Sequence, residues 1–326
     1  MGYLIKVSPQ DIVTSRFAIS PLMVTKQALW LLSGKWEAGV WLSWIRQARE
    51  PYGRLLAERP GLGPMVSLFR ERHYNADFPA PPPDGVNTSF ETELSAVRAT
   101  PAAQAHQEIA RNLEGMPRPP EAVLDVLFSP GVVELFADAL EAVWARIVSP
   151  IWPRVHAILE RDVIQRAGRL ATYGWAAALD DLNPRVRWRP EGVIEVAPGG
   201  QEVALEGRGL LFVPSPFVSG VSSYLEQAWP YAIGYPARGT GITHETPDGL
   251  ATLIGRTRAR VLLELAVPAT TSQLVRLLGL SLGTVGGHLA ALRGAGLVTG
   301  NRTGRGVLYH RTALGDSLVS PSAPLP

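Results

Sequence analysis

Cysteine is absent from the 326 residues. That excludes disulfide frameworks, thiolate zinc sites, iron–sulfur clusters and cysteine nucleophiles. Lysine is nearly absent: Lys6, Lys26 and Lys35 stand among 31 basic residues, the remainder being arginine, a skew that fits a GC-rich genome. No apolar run approaches the roughly 20 residues of a membrane span; stretches such as Ala28–Leu32 and Val261–Val267 are far shorter, and Glu264 interrupts the second. The start, Met1 to Lys6, lacks the basic region and apolar run of a secretory signal. Lys6 also stands where a myristoylation signal needs Ser or Thr. The expectation is a cytoplasmic protein. Other enzyme signatures are missing as well: there is no Walker A and no G-x-G-x-x-G after a strand. The chain is therefore read as non-enzymatic and without a cofactor.

What is present is a globular composition, 46% hydrophobic and 18% charged, at about twice the length of a typical domain. The formal net charge of +2 conceals a division. From Pro247 onward eight arginines face three acidic residues, for +5; the first 246 residues carry −3. All nine tryptophans lie between Trp30 and Trp229. Two physically different parts are joined.

Along the first part, Tyr3–Val7 reads as a short strand, and Ser20-Pro21 is a helix start with Ser as N-cap. Helical periodicity follows over Leu22–Leu32 and Trp36–Arg49, with short helices at Tyr52–Ala57 and Met65–Glu71. Phe78–Gly85 is proline-rich loop. Phe90–Arg98, Ala102–Leu113, Pro130–Val148 and Ile151–Asp180 are helical again. Beyond Pro184 alternation replaces this pattern, predicting three or four strands.

The last part is an ordered series of signals. Gly249–Val267 has a helical core face and is closed by Pro268. Thr270-Thr271 caps a short helix to Leu278, and Gly279 is an αL stop. Ser281 caps a second helix, Leu282–Arg293, with Val285, Leu289 and Leu292 as its buried stripe. Leu297–Thr299 and Val307–Arg311 alternate as strands around a loop, 300–306. Helix, helix, turn, helix and hairpin is the winged helix-turn-helix order. In that arrangement Thr271, Ser281, Gly283, Thr284, Gly287 and His288 are candidate contacts to double-stranded DNA, with the second helix in the major groove. Arg302 and Arg305 on the hairpin suit phosphates or the minor groove.

The fold class is thus α+β and mostly helical. A large helical N-terminal domain, 1–240, carries a small β-sheet at about 185–235. A linker at 241–248, the C-terminal winged helix-turn-helix at 249–312 and a flexible tail at 313–326 follow.

The segments Thr271–Leu274, Leu280–Leu289, Leu292–Val298 and Gly304–Tyr309 resemble the ArsR/SmtB-type winged helix of bacterial transcription regulators. More loosely, Ser15–Leu22 and Phe90–Pro101 resemble an actinobacterial group of long regulators with this module at the C-terminus. The resemblance implies a DNA-binding regulator, more often a repressor. Gly286-Gly287 departs from the Ser and polar residue common at those positions, costing on the order of 1 kcal/mol of helix stability per glycine. Metal sensors of the family use cysteine pairs or His/Asp clusters. With no cysteine, and six histidines none of which are spaced i,i+3 or i,i+4, no metal site is expected.

The first domain is expected to supply a homodimer contact and to sense a small organic ligand. Trp30, Trp41, Trp44, Trp144, Tyr173 and Trp175 are its candidate ligand-binding residues, although aromatics at helical spacing more often pack a core or an interface. The alternative is a winged helix used for protein docking, with ligand binding or an unrecognised activity in the N-terminal domain.

Overall fold

The computed structural model describes residues 2–37, 39–71, 73–180, 182–197, 200–238, 248–303 and 306–319. The chain divides into two compact units. One comprises 1–151 with 165–236, the other 152–164 with 237–326. The fold is α+β and mostly helical.

Helices dominate the first unit up to Val143, and their starts follow local chemistry. Ser20 caps Pro21–Leu32 by accepting from the Met23 N–H at 3.0 Å, with Pro21 in the first turn as the sequence predicts. Ser89 does the same for Phe90–Arg98 through Thr92. Helix Pro21–Leu32 is buried on all sides except at its C-terminal residue, so even Lys26 and Gln27 lie inside. The stretch predicted as a helix at Trp36–Arg49 instead starts at Leu42 and runs to Glu58, through Pro51. The proline-rich segment from Phe78 to Pro83 is without helix or strand, as its composition predicts, yet buried.

The small sheet expected at 185–235 is two four-stranded sheets, each completed by a strand from the N-terminus. Tyr3–Lys6 pairs antiparallel with Val193–Val196 and parallel with Gln201–Ala204, while Val186–Arg189 closes the other edge. Arg16–Phe17 pairs parallel with Leu211–Ser215, which runs beside Ala232–Pro236 and then Ser222–Tyr224. The carboxyl of Asp11 ties the N-terminal stretch to the sheet region, accepting from the Gly209 N–H at 3.1 Å.

The predicted helix Ile151–Asp180 is observed as Trp152–Leu179, interrupted at Gly174, whose φ of 79° is left-handed. Its first half, 152–164, groups with the second unit, so the N-terminal domain drawn from sequence at 1–240 is not one contiguous unit. A long helix gives no sequence signal of which core each turn joins.

In the second unit the predicted helix Gly249–Val267 is divided at Gly255, with φ of 84°, into Asp248–Ile254 and Arg256–Glu264. Residues 313–319, expected within a flexible tail, form the helix Ala313–Val319. The Thr312 hydroxyl anchors it, donating to the Gly296 carbonyl at 2.7 Å and accepting from the Gly315 N–H at 3.2 Å. Leu318 and Val319 pack on the unit's core of Val261, Leu262, Leu274, Val285, Leu289 and neighbouring aliphatics. Apart from Asp248, the predicted linker 241–248 lies outside the described residues.

Candidate nucleic-acid interface

The turn between the two helices of the motif is set by Gly279 and Ser281. Helix Thr271–Leu278 begins with a capping box: Thr270 accepts from the Gln273 N–H, and the Gln273 side chain accepts from the Thr270 N–H at 2.9 Å. Thr270 alone is therefore the cap, and Thr271 is the first helical residue. Gly279 ends this helix with φ of 67°, its N–H donating to the Val275 carbonyl at 2.9 Å. Two residues later Ser281 caps Leu282–Gly294, accepting from the Thr284 N–H at 3.1 Å. The axes of the two helices differ by 114°, within the range of a helix-turn-helix.

On Leu282–Gly294 the residues Val285, Leu289 and Leu292 face the core at i, i+4 and i+7, as the sequence predicts. That fixes the outward face. Ser281, Gly283, Thr284 and Gly287 are exposed, and His288 and Thr271 are half-buried. Ideal Cβ atoms at Gly283, Gly286 and Gly287 would meet nothing within 4 Å, so packing does not require glycine at any of the three. The face is shallow, with one hydroxyl pair, Ser281 and Thr284, hydrogen-bonded at 2.8 Å. Basic side chains are absent from it until Arg293.

The hairpin pairs Val298–Thr303 with Gly306–Arg311, Thr303 opposite Gly306. Gly300 is required here: a Cβ would lie 2.8 Å from Val307 Cγ1 and 3.1 Å from the Tyr309 ring. Strand Ala269–Thr270 adds a third strand through Leu308 and Tyr309. Arg302 is exposed; Arg305 lies outside the described residues.

A family described as a helix-turn-helix domain matches residues 253–301. No curated protein and no solved structure matches the chain. The helix-turn-helix domain suggests DNA binding and a part in transcription regulation. Among the described residues no single helix is long and apolar enough to cross a membrane.

Sequence reasoning missed the support of this domain by residues a hundred positions upstream. Arg161 and Glu264 are both buried, and Arg161 Nη1 donates to the Glu264 carbonyl at 3.1 Å and lies 3.9 Å from its carboxylate. Burial raises the pKa of Glu264, while the guanidiniums of Arg161, Arg154 and Arg260 pull it down. Arg276, on the first helix of the motif, pairs with Glu160. Beside that pair, burial lowers the pKa of His156, with Glu160 opposing and Arg276 adding to the shift. A charge such as Glu264 inside an apolar run was the one available signal that a distant partner existed.

The predicted aromatic ligand residues fall into separate packing groups of the first unit. Trp30 is sandwiched between Trp36 and Phe69, each centroid 4.7 Å away. Trp41 and Trp44 close on Phe217, and the Trp41 indole donates to the Pro216 carbonyl at 2.8 Å. Trp144 stacks on Phe90 at 4.6 Å, and Trp175 packs with Phe17 and Phe212. Tyr173 is 73% exposed. These residues do not converge on one cavity.

Proposed function

We propose that the chain is a one-component transcription regulator of the ArsR/SmtB type, a repressor that binds operator DNA as a homodimer in the cytoplasm. Helix Leu282–Gly294 enters the major groove, with Thr284 reading a base edge. Ser281, Gly283 and Gly287 allow close approach of the backbone, His288 and Thr271 flank the contact, and the hairpin lays Arg302 and Arg305 on phosphates or the minor groove. The observation that carries this reading is the 114° turn between two capped helices, with the outward face of the second left free of packing. The first unit would supply dimerisation and control by a small organic ligand, without enzymatic turnover. A two-fold dimer would read half-sites about one helical turn, roughly 34–36 Å, apart.

The test is fluorescence anisotropy with the duplex upstream of the chain's own gene, over a salt series. Arg302→Ala and Arg305→Ala should each weaken binding to all sequences and reduce the salt slope by about one. Thr284→Ala should mainly relax sequence preference. Binding that is insensitive to salt and no tighter than to random duplex would overturn the DNA reading. It would favour protein docking instead, for which the exposed Leu282 (62%) and the lack of an arginine or lysine on the helix's outer face before Arg293 speak.

A further inference from the structure

The outward face of helix Leu282–Gly294 is marked by the side chains it lacks. From Leu282 to Leu292 there is no Arg, Lys, Asn, Gln, Asp or Glu, the residues that read base edges through paired or charged hydrogen bonds. At helical spacing the crest opposite Val285, Leu289 and Leu292 is formed by Gly283, Gly287, Ala290 and Ala291, all exposed. Ideal Cβ atoms at Gly283 and Gly287 would meet nothing within 4 Å, so no contact inside the chain keeps that crest bare.

The polar groups that remain are largely occupied. The Ser281 hydroxyl accepts the Thr284 N–H at 3.1 Å and shares a hydrogen bond of 2.8 Å with the Thr284 hydroxyl. That bond engages the oxygen of Thr284 with the helix cap and leaves its γ-methyl as the unengaged group of an exposed side chain. His288 is half-buried. Leu282, the first residue of the helix, is 62% exposed. A single exposed leucine is ordinary on a protein surface. Here it lies in the first turn of the second helix of a helix-turn-helix, the turn whose residues reach base edges. What this end of the helix offers a base is therefore mainly methyl surface, and a bare crest lets such short groups come near.

We propose that this face recognises the C5-methyl groups of pyrimidines in the major groove, through the γ-methyl of Thr284 and the side chain of Leu282. The proposal rests on the DNA reading above and names the feature of the duplex that is read. The C5-methyl is the apolar group that the major groove displays, and it is the one partner there for an apolar side chain. Thymine carries it in ordinary DNA, and 5-methylcytosine carries the same group in modified DNA. Arginines of the hairpin add affinity through phosphates without reading sequence. Burying one methyl group is worth about fourfold in affinity.

The test is fluorescence anisotropy on the full chain with three duplexes of one sequence, that upstream of its own gene. One is unmodified, one has uracil in place of thymine, and one has 5-methylcytosine in place of cytosine. Uracil differs from thymine by the methyl group alone, and the phosphates are the same in all three. Expected is a loss of about fourfold or more on the uracil duplex, or a gain of that size on the 5-methylcytosine duplex, at an unaltered salt slope. The first result names thymine as the source of the methyl, the second 5-methylcytosine. Thr284→Ser keeps the hydroxyl and deletes the methyl, and it should shrink the response; Leu282→Ala should do the same. Equal affinity for all three duplexes overturns the proposal and leaves the DNA reading standing. A response as large in both variants as in the unaltered chain overturns it too, because the methyl groups would then act through the shape of the duplex. Failure to prefer the unmodified duplex over a random one is failure of the DNA reading, seen before any base is changed, and this proposal falls with it.

Discussion

In the second unit the buried carboxyl Glu264 faces the guanidiniums of Arg161, Arg154 and Arg260, whereas in the first unit Glu93 is met by neutral donors. Glu93 accepts from the Ser20 hydroxyl and the Leu22 N–H, each at 2.8 Å, and from the Thr88 hydroxyl. Burial nevertheless pushes it up to about 7. A carboxyl compensated by cations fixes a charge in place and fastens one element to another, here the segment 152–164 to the helix Arg256–Glu264. A carboxyl compensated by neutral groups retains its proton near neutral pH and makes the unit sensitive to what surrounds it. The second unit thus sets its buried carboxyl among cations that join two elements, and the first unit holds a carboxyl among neutral donors.

The sharpest way to break that contrast is to remove the cation. Arg161→Ala should destabilise the second unit by about 3–5 kcal/mol in urea unfolding, because it strips a direct partner from a buried charge. A cost below about 1 kcal/mol would show that Glu264 is held by something other than its arginines, and the two units would no longer differ in this respect.

The second break uses pH. Between about 4.5 and 7 the unfolded chain has released the Glu93 proton while the folded chain retains it, so the folded state binds more protons and stability falls as pH rises through that window. The stabilisation is complete below about 4.5. A shift of this size corresponds to about 3 kcal/mol, and Asp77 contributes with the same sign. Glu93→Gln should remove the Glu93 share of the slope. A slope that persists unchanged, measured as unfolding free energy against pH, would mean that Glu93 is ionised inside the fold.

The two units also differ in how much of them could be read from residues alone. In the second, the governing signals are local: Ser281 three residues before Thr284, Gly279 at a left-handed position, and Val285, Leu289 and Leu292 at helical spacing. Each acts within a turn or two, so order and spacing sufficed to find the motif. In the first, the decisive contacts are remote. Tyr3–Lys6 pairs with strands nearly two hundred residues on, and Asp77 depends on Glu108 and on Lys26, fifty-one residues before it. Nothing in the periodicity of either stretch encodes its partner. The aromatic residues misled for a related reason: spacing on a helix shows that Trp30 and Trp41 turn inward, but not that each enters a different packing group. The same limit hid the affiliation of 152–164, since its apolar stripe reads identically whichever core it joins.

The smallest effects are expected on the helix of the second unit that has least side chain. At Gly286 and Gly287 a Cβ would meet open space, and both lie inside the helix Leu282–Gly294. Replacing either with alanine should stabilise the chain by up to about 1 kcal/mol, because glycine loses more backbone freedom on folding. Stability alone does not distinguish the two positions; binding does. Gly287 is exposed on the same outward face as Gly283 and Thr284, whereas Gly286 is half-buried. Gly286→Ala should therefore leave DNA affinity unchanged, and Gly287→Ala should lower it by holding the helix backbone away from the duplex. Equal affinity for both variants, read in the same anisotropy assay, would take Gly287 out of the interface and leave sequence reading on this face to Thr284.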